Sequence, residues 1–392
     1  MKEAENKKLQ KETGADDALR ARRESRWQVS WRLLKRNRLA FFGLAIFVTF
    51  FFVAFAGLLL TSGTRPVFDP AMVRLQEKLR PPLSEPRVAD LRPDQIPTLG
   101  IYLFGTDDLG RDVFVRMLQG AWVSLTVGFV AVGIAVLIGI VMGGISGYFG
   151  RNPVRVGHIL LAGMVSLGAG LLLAGATVAG GAVLVITGTY ILFSLGRKKW
   201  SARQSASRWL KLLHRDTISL DTLIMRIVDI MLCFPAFFLI LTVVALLPAS
   251  MYNIMVVIGL TSWMGTTRFV RAELLSLREQ DFVTAAKALG VSDWRIIFRH
   301  MIPNAMAPVL VSATIGIASA ILIEAALSFL GFGVPPPHAT WGNILSDGKR
   351  FIFDAPWLTF IPGFAILVVV LAFNLFGEGL RDILNPKLRE RY

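Results

Sequence analysis

The chain has 392 residues, 54% of them hydrophobic, and carries a formal net charge of +15. A mean hydropathy of +0.57 excludes a soluble globular protein of this length, since the apolar residues gather into runs near the ~20 needed to cross a bilayer. The single cysteine, Cys233, lies in an apolar run and leaves neither a disulfide nor a thiolate zinc site. By the assignment below, about 32 of the 42 Lys and Arg fall on one side of the membrane. That asymmetry orients a membrane protein and argues against a nucleic-acid partner.

Residues 1–38 read as a cytoplasmic tail. The first 25 are polar and mixed in charge, without the apolar centre of a secretory signal. Trp27, Trp31, Leu33 and Leu34 then alternate with Arg26, Arg32, Lys35, Arg36 and Arg38, a pattern suited to anionic membrane lipid. The first span is expected over 39–61, with its basic flank inside. Residues 62–119 form a proline-rich external loop. Near its end stands Gly105-Thr106-Asp107-Asp108-Leu109-Gly110-Arg111-Asp112, whose short polar residues between glycines form capping turns on the plain structural reading. The same eight residues closely resemble the GTD-x-x-GRD signature that precedes the core domain of oligopeptide and dipeptide importer permeases. Together with the basic segment and first span, the resemblance is to the C-type subunit of these binding-protein-dependent ABC systems.

The second span is expected over 121–149. Gly139, Gly143 and Gly147 recur every four residues along one face, where a neighbouring helix can approach closely. The resemblance implies a short cytoplasmic turn after Gly150, followed directly by the helix carrying Asp229. Residues 154–219 stand in between as an insertion. Their run from Gly157 to Gly196 is nearly uncharged, too long for one span and right for a hairpin of two. The basic linker Arg197 to Arg215 then stays inside. Eight spans are therefore expected, six of them core, with the permease core at 120–153 and 220–380.

Further spans are expected at 223–247 and 253–270. Asp229 sits three residues after Arg226, where the two can pair on one helix face. As an acid in a membrane segment it is also a pathway candidate. Between two long apolar runs, Asp281 to Pro303 reads as helix, sharp turn at Gly290, helix. Ser292 and Asp293 offer cap oxygens, and Pro303 closes the segment. An ordinary loop would give the same pattern. The stretch resembles the cytoplasmic loop of ABC importer permeases: Ala285-Ala286, Gly290 and Pro303 match, while Thr284, His300 and Ile302 replace the usual Glu, Ile and Leu. The resemblance implies that Thr284, Ala285, Ala286, Lys287, Gly290 and Pro303 belong to an ATPase-docking loop, with Thr284 to Gly290 as its coupling helix.

The next span runs to about Gly331 and contains one charge, Glu324, read as either a wall of a hydrated cavity or a hydrogen bond between helices. The segment 332–357 is external, with Trp341 and Trp357 as interface anchors. Asp107, Arg111, Asp112 and Trp341 are candidate contacts for an extracytoplasmic binding protein. The last span is 358–376, and 381–392 form a cytoplasmic tail.

The resemblance implies an all-α polytopic protein with a type I ABC importer transmembrane domain. It implies a subunit that imports di- or oligopeptides by alternating access, in a bacterial or archaeal plasma membrane, with both termini cytoplasmic. Its partners would be a second permease, two ABC ATPases and the binding protein. Without a Gly-x4-Gly-Lys-Ser/Thr loop the chain is expected to be no enzyme and to bind no cofactor, ATP and Mg acting through the partners. Nickel or another small solute is an alternative cargo. An ion-coupled secondary transporter is the competing class, with Glu324 its main support. An intramembrane enzyme would need a metal or nucleophile constellation, and His158, His214, His300 and His338 are scattered.

Overall fold

The computed structural model describes residues 32, 35, 37–63, 66–150, 153–155 and 216–384. The expected hairpin within 154–219 and the outer parts of both tails lie outside these residues. Helix α1 (Arg38–Thr61) starts at Asn37, whose side chain accepts a bond from the Ala40 amide at 3.2 Å. Its buried residues are small: Ala40, Gly43, Ala54, Gly57 and Thr61. A methyl group at Gly43 would come within 2.9 Å of Leu375, and one at Gly57 would overlap the Leu118 carbonyl. Close backbone approach therefore seats α1; Phe47 and Phe50 pack on the core, while Phe41, Phe42, Phe51, Phe52 and Phe55 face outward.

Helix α2 (Val113–Phe149) has 37 residues and is ~55 Å long at 1.5 Å per residue. It begins eight residues before the expected Ala121, because Asp112 caps it by accepting from the Phe114 amide at 2.9 Å. The helix thus takes up residues 113–119 of the expected loop. The glycine face of α2 packs on α5 (Met251–Arg278). Added methyl groups at Gly139, Gly143 and Gly147 would lie 2.6–2.8 Å from Thr266, the Thr267 carbonyl and Leu274 respectively. A short antiparallel pair, β1 (Pro153–Arg155) and β2 (Asp216–Ser219), joins the ends of the intervening segment.

The expected span 223–247 is broken. Helices α3 (Leu220–Cys233) and α4 (Ala236–Leu246) meet at 82°. Pro235 removes a backbone donor and disfavours helical geometry at Phe234. Helix α5 is longer than expected, extending to Arg278 before α6 (Asp281–Ala288).

The expectation that Pro303 closes the loop is corrected. Helix α7 runs unbroken from Asp293 to Phe329, with a π turn over Ile296–Met301 just before Ile302-Pro303. A wider turn relieves the carbonyl that a proline ring would strike and leave without a donor. Helix α8 (Trp341–Gly348) opens with a capping box between Thr340 and Asn343, and α9 (Trp357–Leu384) is the last described helix. The main core joins α2, α5, α7, α8 and α9 around Val127, Ile258, Ile321, Trp341 and Phe373. Among the described residues, α1, α2, α7 and α9 are long and apolar enough to cross a membrane, and the bent α3–α4 pair makes a possible fifth span.

Candidate functional site

Residues 281–303 form a small folded unit. Helix α6 ends in a full Schellman motif: the Val291 amide donates to Ala286 O at 3.1 Å and the Gly290 amide to Lys287 O at 3.0 Å. Gly290 takes φ +73°, a left-handed conformation that suits glycine. Val283 and Ala286 turn inward onto Leu274, Leu277, Ile296, Ile297 and Met301. Burying each large apolar side chain contributes about 1.5–3 kcal/mol, which holds this short helix in place. Ala286 therefore packs within the chain and is not at an outer contact. Thr284, Ala285, Lys287 and Gly290 are exposed, as is Pro303 within α7 just after its π turn.

Polar contacts tie the ends of three long helices to one another beside α6, which itself contributes Lys287. The Tyr148 hydroxyl at the end of α2 donates to Asp293 at 2.5 Å, and Lys287 Nζ sits 5.0 Å from the centre of the Tyr148 ring. Arg278 at the end of α5 donates to the Tyr148 carbonyl at 3.3 Å. Asp293 serves as this acceptor; neither it nor Ser292 caps α7 through a side-chain bond. Tyr148, Arg278, Glu279, Thr284, Lys287 and Asp293 surround an open groove of about 400 Å³. Thr284 donates its hydroxyl to Asp281 O at 2.9 Å, within its own helix. The same unit carries Leu289, 83% exposed, and Trp294 stacked on Phe298 at 5.8 Å. Sequence reasoning missed Tyr148, Arg278 and Leu289. Leu289 had a signal: an apolar residue directly before the turn glycine.

The eight-residue motif at 105–112 forms a buried ionic knot. Asp107 accepts from the Leu109 and Arg111 amides at 2.9 Å each, from Arg111 Nε at 2.7 Å and from Arg116 Nη1. Arg116 also donates to Asp347 of α8 at 3.0 Å. Arg111 reaches the same Asp347 at 3.3 Å. Thr106 accepts from the Arg80 amide and donates to the Glu77 carbonyl. Burial raises the Asp112 carboxyl to about 6, against the pull of its cap amides, and raises Asp108 above its ordinary value as well. Burial likewise pushes the Tyr102 hydroxyl up to about 12.

Asp107 is 0% exposed, Asp112 5% and Trp341 1%. These three candidates for binding-protein contact are corrected to internal residues, and of the four only Arg111 retains partial exposure. Trp341 is also no interface anchor, since its indole donates to Met117 O at 3.2 Å inside the core. Half-buried Trp357 donates to the Thr106 carbonyl at 3.3 Å.

Glu324 is fully buried, accepting from Ser328 at 2.7 Å and from Ser124 of α2 at 3.2 Å. The Ser124 hydroxyl in turn accepts from the Trp341 amide at 3.3 Å. Of its two readings, the structure carries the hydrogen-bonded link between helices. Asp229 pairs with Arg268 of α5 at 2.7 Å, not with Arg226, and Asp221 pairs with Arg271 nearby.

A helical bundle with four or five membrane-length apolar elements, and a compact exposed helix between two of its long helices, defines a polytopic membrane permease. A family model described as the binding-protein-dependent transport system inner membrane component matches residues 217–390. A second, described as the N-terminal transmembrane domain of oligopeptide transport permease C, matches residues 25–82. A dipeptide transport system permease protein of Alkalihalophilus pseudofirmus is 36% identical over 365 residues, spanning 93% of this chain and 91% of the relative. An oligopeptide transport system permease protein of Bacillus subtilis is 29% identical over 366 residues, again 93% and 91%. A probable D,D-dipeptide transport system permease protein of Escherichia coli is 32% identical over 303 residues, 77% and 79%. The chain belongs to the family of binding-protein-dependent transport system inner membrane components, and is a multi-pass membrane protein.

Proposed function

We propose that this chain is a membrane-spanning subunit of an ATP-driven importer of di- or oligopeptides, in which α6 is the coupling helix. The peptide cargo rests on the names of the relatives, dipeptide and oligopeptide permeases alike. The observation that carries the mechanism is the exposed α6 unit, packed through Val283 and Ala286 onto α5 and α7, beside the contacts of Tyr148, Arg278 and Asp293 that join the ends of α2, α5 and α7. A rigid unit so attached can pass a displacement from an ATPase to three long helices at once. Thr284, Ala285, Lys287, Leu289 and Gly290 supply the contact surface, with Pro303 in α7 just after the π turn.

In this reading α5 is a sixth crossing, with 28 residues spanning ~42 Å. The basic N-terminal flank and the α6 unit face the cytoplasm. A second permease completes the path, two ABC ATPases supply ATP and Mg chemistry, and an extracytoplasmic protein delivers the peptide. The external knot at Asp107 and Arg116 fixes the outer end of α2 against α8, so delivery acts on a stiff rim rather than on the knot itself. The test is uptake of a labelled dipeptide by vesicles carrying the complete set of subunits. Uptake should require ATP and this chain, and should fall at least tenfold with Ala285→Trp. Equal uptake by vesicles lacking the chain would overturn the proposal.

A further inference from the structure

Helix α5 is long enough to cross a bilayer but too polar to count among the apolar spans. Its glycine-packed side faces α2. Another side carries Ser262, Gly265, Arg268, Ala272 and Ser276, all exposed, together with the exposed Phe269, and open space surrounds Gly265. These recur at three- and four-residue intervals and so share a face. Arg268 lies ~15 Å before the end of α5 at Arg278, and Asp229 ~14 Å after the start of α3 at Leu220. In the importer reading α5 crosses the bilayer, and Arg268 stands ~26 Å after its start at Met251, within a hydrocarbon core of ~30 Å; Asp229, paired with it, shares that depth. Their ion pair is about half exposed, with side chains 51% and 48% accessible. Five residues beyond Asp229 the helix breaks at Phe234-Pro235.

Hydrocarbon is a poor neighbour for all three features. Charged groups at membrane depth face the bundle interior or water, and broken helices in membranes line cavities or lie within protein. A dry protein interface would strip water from an ion pair that has no other described polar partners. We infer that the Asp229–Arg268 pair and the Ser262–Gly265 face of α5 form the wetted wall of the translocation path. The charged ends of a passing peptide then exchange with the pair, carboxylate to Arg268 and ammonium to Asp229. This rests on the peptide-importer reading above.

Cys233 follows Asp229 by one helical turn, is exposed and is the only cysteine. It reports on this wall directly. In the assembled transporter in nanodiscs, a membrane-impermeant cationic thiosulfonate should label Cys233. It should also label Gly265→Cys made in a Cys233→Ser chain. Both rates should change at least tenfold when ATP is trapped by vanadate. Labelling only by an apolar maleimide, or by neither reagent, would mean a lipid face or a dry subunit contact and would overturn the inference.

A second arm separates substrate contact from simple fastening. Asp229→Asn and Arg268→Gln should each lower peptide uptake at least tenfold. The exchanged double variant Asp229→Arg/Arg268→Asp should recover complex yield but not uptake. Recovery of uptake to the original level would reduce the pair to a fastener between α3 and α5. If no ATPases accompany the chain, it is the importer reading that fails, and the labelling result still decides whether the face is wet.

Discussion

Arg116 offers the sharpest test of how the external motif works. Its side chain is 4% exposed and is shared between Asp107, which is fully buried, and Asp347 of α8, which is about one-third exposed. Arg116→Met keeps most of the apolar stem and removes the guanidinium, leaving Asp107 with Arg111 and two backbone amides. Breaking a buried pair by removing one partner costs about 3–5 kcal/mol; the surviving donors place this case near the lower figure. Asp107→Asn keeps the shape and the backbone acceptor while losing the charge. Because both variants remove the same contact, their double should cost less than the sum by about 1–3 kcal/mol. Reversible unfolding in mixed micelles, driven by rising SDS and followed by tryptophan fluorescence, measures all three. An Arg116→Met cost within ~0.5 kcal/mol of zero, or fully additive costs, would refute the knot as a stabilising unit.

Two glycines of α2 should behave oppositely. Gly143→Ala puts a methyl 2.6 Å from the Thr267 carbonyl and 2.8 Å from Val270, and should cost about 1–3 kcal/mol by overpacking. Gly133→Ala meets nothing within 4 Å and should gain about 0.5–1 kcal/mol in the same SDS titration. At Gly290 space is open and only φ is demanding, so Gly290→Asn should be nearly neutral. Gly290→Val should cost about 1–2 kcal/mol, seen as faster amide exchange at Val291. Asp112 holds its proton up to about pH 6 when folded, against an ordinary value of 3.8. Its stabilising contribution is therefore complete below about pH 4 and is lost as pH rises through 6. Asp112→Asn, itself a good helix cap, should flatten that fall, worth at most about 3 kcal/mol, in unfolding measured from pH 4 to 7.

The glycine face of α2 was legible because a four-residue interval keeps Gly139, Gly143 and Gly147 on one side of any helix; that α5 fills it was not. The turn at Gly290 was legible as well, since helix composition followed by glycine has one common backbone solution. Local reasoning failed where a long side chain reached across helices. Asp229 was matched to Arg226, three residues away, while its partner Arg268 stands on α5. Trp341 followed the usual preference of tryptophan for membrane edges but found a carbonyl acceptor inside the core. Asp107 and Asp112 read as surface polar residues because Arg116, their buried neighbour, looked like part of an external loop. The break at Pro235 carried a signal of its own in the Phe234-Pro235 step, which the surrounding apolar run hid. Pro303 misled in the opposite direction, because the π turn before it lets the helix continue.

The central claim is that α6 joins this permease to its motor. It is tested most directly by affinity purification of the chain from mild detergent, with mass spectrometry of what accompanies it, beside the surface variants Ala285→Trp and Leu289→Asp. Both residues are exposed, so neither change disturbs the packing of α6. The account predicts a second permease and ABC ATPases with the unaltered chain. With the variants, the ATPases should be lost at least tenfold and the second permease retained. Recovery of the chain alone in every form, or ATPases held equally by all three, would contradict it.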